Sequence, residues 1–474
     1  MNIYLPVEIK SRELEGKLLL GLAAAERGHM VILGEKSHTR GLAAKGILPP
    51  GILHNKSLTP SAKALKLLDN LKNQNHIITC QDEEGGLIDE SYEPFARLRF
   101  SEKSIQKTDR VFGWGNHDTE ALKELFAGSE KKFAATGSPR VDFWRKDMQA
   151  YYDLGPVSEK AKSLKPFILI SSNFSSFLNQ NRFFDVLARL RQANYFDRNP
   201  EWEQYQYDNF AYQAQLIFEF IKLIRRLSSE LDGMNILVRP HPVESVEGWK
   251  KALGSYPNVN VIREGAIGNW LKECKLLVHN GCTTAIEAAA FGIPRIAFRP
   301  IPDPIEREIP NSISFQAFSV DEVFGFMDTI LENSESCDEG KVDEVKNKIL
   351  TERFANIEGA LAADRMIDEW EKFESHFDNS QASADELIER KNTYYAEKKS
   401  MSKNLKQMVA RLIRKGNDDQ NKSNKVKLDN SHKFPSFTDE EYHRIKQDIG
   451  RALNRFGGVT YRRLGEKTIL LFSK

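Results

Sequence analysis

A chain of 474 residues is too long for one compact core, so two domains with appendages are expected. Its 68 Lys and Arg nearly cancel 67 Asp and Glu, which argues against nucleic acid as a partner and requires any bound anion to be held locally. Cys80, Cys274, Cys282 and Cys337 lack the spacing of a zinc site or a disulfide framework, so the compartment reads as reducing.

The chain opens on NIYLPVEI, an amphipathic stretch from Glu13 to Arg27, and HMVILGE. This is strand, helix, strand in about 35 residues, the size of a βαβ unit. The apolar LLLGLAAA within it (Leu18 to Ala25) follows Glu13 and Glu15, unlike a signal peptide. No run reaches the roughly 20 apolar residues of a membrane span, which predicts a cytoplasmic protein, at most peripheral at the inner face of the membrane.

The alternation continues through GILHN, PSAKALKLLDNLKNQ, HIITCQDEEGG, RVFGWG, a helix from Thr119 to Phe126, and KFAATGSPRVDFW. It predicts a parallel sheet covered on both faces over residues 1–155. A second series runs from KPFILISSN through a long aromatic-rich helix (Tyr205 to Leu231), NILVRPHP, VNVIREG and LKECKLLVHNGCTTAIEAAAFGIPRIAFRP to a helix near Val320 to Asn333. It makes a second domain over residues 156–335. The fold class is therefore α/β, with two Rossmann-like parallel-sheet domains facing across a cleft, where open α/β sheets bind ligands at the carboxyl ends of their strands.

The charged residues 336–415 read as a solvated helical connector. Near its end Leu405, Met408, Val409, Leu412 and Ile413 share a helical face bordered by Lys403, Lys406, Arg411, Arg414 and Lys415. Residues 403–415 then either lie on an anionic membrane surface or pack against the second domain. Residues 416–433 read as a linker. Residues 434–474 form a small α+β module: Thr438 and Glu441 at capping-box spacing, a helix to Phe456, and two strands around VTYRRLGEKTILLF.

Four stretches carry candidate chemistry. In NILVRPHP a strand delivers Arg239 and His241, with flanking prolines fixing the backbone; both side chains can donate to a phosphate that leaves with negative charge. In NGCTTAIEAAAFGIP, following the strand KLLVHN, Asn280 and Gly281 form a tight turn and Thr283 and Thr284 sit at a helix start, an anion-binding geometry. Glu287 lies one turn on, within reach of a ribose diol. Ser171, Ser172 and Asn173 end the strand KPFILIS. In QDEEGG, Asp82, Glu83 and Glu84 crowd together after a strand, so at least one should hold its proton unusually well, as a proton-transferring group requires; the competing reading is a solvated acidic loop. In TGSPRVD, Arg140 and Asp142 follow another strand, with Asp142 either a nucleophile or a structural partner of Arg140.

The architecture resembles the GT-B arrangement of nucleotide-sugar glycosyltransferases. The acidic pair before glycine (Glu83, Glu84, Gly85), then His241 and Pro242, then Thr283 and Thr284, follow the order found in bacterial sialyltransferases, which use CMP-activated sugars. The wider pattern, with GSPRVD and HNGCTTAIEAAAFGIP, resembles bacterial surface carbohydrate biosynthesis proteins and the related retaining β-Kdo glycosyltransferases, over residues 1 to about 330. The resemblance implies transfer of Kdo or a related 2-ulosonic acid from CMP to a glycan or glycolipid acceptor. It implies Glu83 or Glu84 as acid/base, His241 on the departing phosphate, Thr283 and Thr284 binding that phosphate, and Glu287 the ribose. In a retaining enzyme Asp142 is the candidate nucleophile; an inverting one needs only the acid/base. No metal or other cofactor is required, since CMP carries one phosphate. Competing readings are a CMP-polyol-dependent phosphotransferase of surface polymer synthesis, a UDP-sugar 2-epimerase, and a non-enzymatic scaffold of a capsule or O-antigen assembly complex.

Overall fold

The computed structural model describes residues 1–88, 92–174, 177–178, 183–192, 195–198, 200–331, 337–377, 382–396, 434–435 and 437–473. The stretches expected as a basic amphipathic helix (403–415) and a linker (416–433) lie outside them. Among the described residues fourteen strands occur in chain order: β1 (Asn2–Val7), β2 (Met30–Glu35), β3 (Ile52–Asn55), β4 (Ile77–Cys80), β5 (Arg110–Gly113), β6 (Phe133–Ala135), β7 (Phe167–Ser171), β8 (Asn235–Arg239), β9 (Val259–Val261), β10 (Leu276–His279), β11 (Arg295–Phe298), β12 (Phe315–Ala317), β13 (Val459–Gly465) and β14 (Thr468–Ser473). Among the described residues no helix is long and apolar enough to cross a membrane.

The chain divides into two compact units. Unit 1 comprises Met1–Phe143 and Arg353–Lys474, and unit 2 is Trp144–Glu352. Unit 1 holds an eight-stranded sheet in the order β13-β14-β2-β1-β3-β4-β5-β6. Strands β1 to β6 are parallel, while β14 runs antiparallel to both β2 and β13. Residues 434–473, set apart in the sequence as a terminal module, thus complete the first sheet. Thr438 caps their helix Asp439–Leu453 as its spacing suggests, accepting from Glu441 N at 3.1 Å. Ile469, Leu470 and Leu471 of β14 are fully buried, so this strand belongs to the core.

The helix Ala362–Glu371 departs further from the solvated connector expected for residues 336–415. Ala362, Ala363, Met366, Ile367 and Trp370 are all fully buried, and the helix packs against the helix Lys10–Glu26. Trp370 stacks edge-on to His54 and donates Nε1–H to Thr79 Oγ1 at 3.2 Å. The five apolar residues recur at helical spacing and make one stripe; the charges around them mask it in a composition average.

Unit 2 is a six-stranded, all-parallel sheet in the order β12-β11-β10-β7-β8-β9. Its central strands are buried runs such as FILIS and LLVH, the pattern of parallel strands covered on both faces. The chain moves outward from β7 through β8 to β9, then crosses back to lay β10 on the other side of β7. That reversal makes the carboxyl ends of β7 and β10 the topological switch point, where such sheets leave a crevice.

Candidate functional site

The switch point of unit 2 gathers most of the polar residues singled out in the sequence. Ser171, closing β7, donates from Oγ to Thr284 Oγ1 at 3.0 Å, and Cys282 Sγ lies 3.4 Å from the same Ser171 oxygen. The turn between β10 and the next helix needs Gly281, whose φ is +75°, in the left-handed region that glycine enters without steric cost. His279 fixes this turn from below. Its Nδ1 accepts from Gly281 N at 3.1 Å and its Nε2 meets Ser314 Oγ at 2.9 Å. Burial, helped by Arg295, pushes His279 down to about 3, so the ring is neutral and serves as scaffold.

Beyond the turn, Thr283 occupies the N-cap position of the helix Thr284–Phe291 without a side-chain cap bond, and Glu287 sits in its first turn, largely buried. The Ala285 and Ile286 amides donate to Cys282 O (3.1 Å) and Thr283 O (3.0 Å), so what this helix start offers an anion is its positive dipole end and the hydroxyls around it. Asn280 Nδ2 donates to Asn173 O at 3.2 Å, tying the ends of β10 and β7. Arg239, closing β8, directs its guanidinium onto the carbonyls of Glu264 (2.8 Å) and Gly265 (2.6 Å). Burial lowers it to about 10, opposed by the field of Glu287, so it remains a cation. His241 is half-buried and its Nδ1 lies 3.4 Å from Val243 N as acceptor. A neutral ring accepting at Nδ1 carries its hydrogen on Nε2 and can donate there.

Ser172 does other work. Its Oγ donates to Glu244 at 2.6 Å, and the same carboxylate accepts from Phe174 N (2.6 Å) and Trp249 Nε1 (2.8 Å). Glu244 is fully buried; burial raises its pKa against the lowering by these donors. It holds the chain after β7 to the chain after β8. Sequence reasoning missed it because two of its three partners lie some 70 positions away, and nothing in PHPVESVEGW separates a buried Glu from an exposed one.

In unit 1 the three carboxylates after β4 have three different environments. Glu83 pairs with Lys17 at 3.1 Å, both side chains nearly buried. Glu84 contacts Arg12 at 2.5 Å and Arg99 at 2.8 Å; its burial would raise its pKa, but the two guanidinium groups outweigh that and lower it. Asp82 is 5% exposed and accepts from Glu84 N at Oδ1 (3.0 Å), while Oδ2 has no hydrogen-bond partner among the described residues. Arg99 Nε stands 3.6 Å from that oxygen. Desolvation pushes Asp82 up to about 6, only partly countered by Arg99. Burial thus raises Asp82, while the guanidinium groups of Arg12 and Arg99 lower Glu84.

The loop after β6 lies beside this turn, with Gln81 Nε2 donating to Gly137 O at 2.7 Å. Its Arg140 is half-buried in the short helix Pro139–Asp142. Asp142 does not stand free as a nucleophile. It is fully buried; Oδ1 accepts from Asn356 Nδ2 (2.6 Å) and Ala362 N (2.9 Å), and Oδ2 from Ala363 N (3.2 Å). These bonds cap the buried helix Ala362–Glu371, work of the kind an N-terminal carboxylate does. Full burial and three donors fit Asp142 to a structural role rather than to attack on a sugar carbon. Among the described residues no group of three or more His, Cys, Asp or Glu is placed to hold a metal ion.

No protein-family model matches the chain, and no curated protein sequence matches it. Solved structures do. A Listeria monocytogenes protein assigned as a UDP-N-acetylglucosamine 2-epimerase is 13% identical, with 81% of this chain and 99% of that one covered and a TM-score of 0.50. The wall teichoic acid polymerase TagF is 11% identical over 78% of this chain and 88% of its own, with a TM-score of 0.45. The Neisseria meningitidis UDP-GlcNAc 2-epimerase bound to UDP-GlcNAc is 11% identical over 78% and 99%, with a TM-score of 0.43. At these identities the likeness is one of fold, and the Listeria structure carries it. The chain has a GT-B-like fold of two Rossmann-like parallel-sheet units.

Proposed function

We propose that this protein is a nucleotide-sugar-dependent glycosyltransferase that moves Kdo or a related 2-ulosonic acid from its CMP derivative to a bacterial surface glycan. The observation that carries the reading is the switch point of unit 2, a glycine turn and an uncapped helix start flanked by hydroxyls, with a carboxylate in the first turn. Backbone amides at such a helix start favour a phosphate. Thr283, Thr284 and Ser171 would surround the single phosphate of CMP and Glu287 would accept from the ribose diol. His241 would donate from Nε2 to the phosphate as charge develops on it.

Proton transfer is assigned to Asp82, because burial moves its pKa to about 6, toward neutral pH, whereas Glu83 and Glu84 are committed to cations. An inverting displacement needs no protein nucleophile. A retaining one would need a carboxylate other than Asp142. The fold likeness to the Listeria protein, whose name specifies a UDP-sugar, supports a nucleotide-linked donor as the class of substrate, and the motif order in the sequence favours CMP within it.

The test is incubation of the purified protein with CMP-Kdo generated in situ and a glycan acceptor, following CMP release and the anomeric configuration of the product. Release of CMP with a new glycosidic linkage supports the proposal. Consumption of a CDP-polyol with a phosphodiester product would establish the phosphotransferase, and epimerisation of UDP-GlcNAc the epimerase. Failure to bind any of the three nucleotides would leave the scaffold.

A further inference from the structure

A CMP-linked 2-ulosonic acid brings two anionic groups to the protein: the phosphate, and the sugar's own carboxylate, attached to the same anomeric carbon. The helix start at Thr284 answers the first. We propose that Arg307 answers the second and reads the donor's carboxylate, an inference that rests on the CMP-donor reading above and goes beyond it to a residue that no sequence motif marks.

Arg307 stands where the loop after β11 meets the helix Glu308–Ser312. Strands β10 and β11 are parallel neighbours, so this loop and the Gly281 turn emerge from the same edge of the sheet. A Cβ placed on Gly281 would lie 3.5 Å from Arg307 Cβ and 3.7 Å from Asn311 Oδ1, so these two residues flank the turn directly. Asn311 is 5% exposed, and its Oδ1, like Asn280 Oδ1 on the turn itself, is buried without a hydrogen-bond partner among the described residues. A buried amide oxygen left unsatisfied is costly and rare. Here two of them border a helix start without a side-chain cap, where they can accept from a ligand's hydroxyl or amide.

The loop is built to hold Arg307 in place. Glu306 accepts from Arg299 and Tyr212, and Asp303 accepts from Ile305 N at 2.9 Å. Arg299 is committed to Glu306 and Gln316. Arg307 itself is exposed and has no hydrogen bond or ion pair among the described residues, leaving its guanidinium available. A guanidinium presents paired donors that match the two oxygens of a carboxylate, so it selects for that group by shape as well as charge. A nucleotide linked to a neutral sugar has no such group to offer, and the residue would separate acidic donors from neutral ones.

The experiment is equilibrium binding of CMP and of freshly generated CMP-Kdo to wild type, Arg307→Gln and Arg307→Lys, with thermal melting as a check that the exposed substitutions leave the fold intact. Arg307→Gln should weaken CMP-Kdo by about 10- to 100-fold, the range for losing a charged hydrogen-bonded contact, and leave CMP within about twofold. Arg307→Lys should recover part of the loss. Equal weakening of both ligands would make Arg307 a phosphate contact, and no change in either would remove it from the site; each result overturns the proposal. A wild type that binds CMP but holds CMP-Kdo no tighter than CMP overturns the carboxylate role alone. A wild type that binds UDP or CDP and not CMP rejects the donor reading, and the carboxylate role with it.

Discussion

The turn after β4 in unit 1 and the turn after β10 in unit 2 both follow a buried parallel strand, yet they treat charge in opposite ways. In the first, Glu83 and Glu84 are paired with Lys17, Arg12 and Arg99, and Asp82 keeps one buried oxygen without a hydrogen-bond partner among the described residues. In the second, the side-chain oxygens of Asn280 and Asn311 have no hydrogen-bond partner among the described residues, and the helix start has no side-chain cap bond. A crowded acidic motif can thus be electrostatically closed, whereas a neutral polar turn can be the open one. Motif density in sequence measures neither; what counts is which atoms still lack a partner after folding.

The comparison breaks most visibly at Asp142. Asp142→Ala should cost about 3–5 kcal/mol in chemical denaturation, because it leaves two helix-start amides unpaired in the interior and takes one acceptor from Asn356. Asp142→Asn, assayed per folded molecule, should retain turnover; a loss of three orders of magnitude would restore it as a nucleophile. On the open side, His241→Ala should lower turnover about 100-fold, the scale for one donor to developing charge, with little change in melting temperature because the ring is half-exposed. Unchanged turnover would remove His241 from the reaction.

Asp82 tests the closed side through pH. Its folded pKa of about 6 lies above the ordinary carboxylate value, so the folded state binds more protons between roughly pH 4 and 6 and stability falls as pH rises through that window. Asp82→Asn removes the penalty and keeps an acceptor for Glu84 N. It should gain about 2–3 kcal/mol at pH 8 and nothing near pH 4, with Asp118, also raised to about 6 by burial, leaving part of the slope in place. A gain independent of pH would refute the assignment of the proton to Asp82. The smallest effect is expected at Gly281→Ala. Its φ of +75° makes the substitution cost about 1 kcal/mol, and since the space around it is adequate, CMP affinity should drop only through distortion of the turn.

Much of the fold was legible because parallel strands and their helices leave local periodicities: the alternation through residue 331 matches the order of strands β1 to β12. Legible too was the grouping of Ser171, Gly281, Thr283 and Thr284, since each closes a strand or opens a helix, and parallel strands bring those ends to one edge. The helix Ala362–Glu371 was hidden by surrounding charge, and the role of Asp142 by its partners Asn356 and Ala362, more than 200 positions away. Glu244, Asn311 and Arg307 carry no motif at all. Their significance depends on which atoms lie beside the strand ends after folding, and this information is tertiary.

The strand β14 has a consequence for how the molecule comes into being on the ribosome. Strand β2 emerges within the first 35 residues of the chain but receives its second neighbour only when residues 468–471 arrive, after the whole of unit 2 has been synthesised. Until then β2 presents an unprotected edge, the kind that recruits foreign strands, and the helix Lys10–Glu26 beside it lacks the cover of Ala362–Glu371. Unit 2, continuous in sequence, can settle first, while unit 1 waits with an adhesive flank. A nonsense codon before position 468 would therefore be expected to yield aggregates rather than a trimmed, folded protein, and a holdase chaperone should be most needed during that interval.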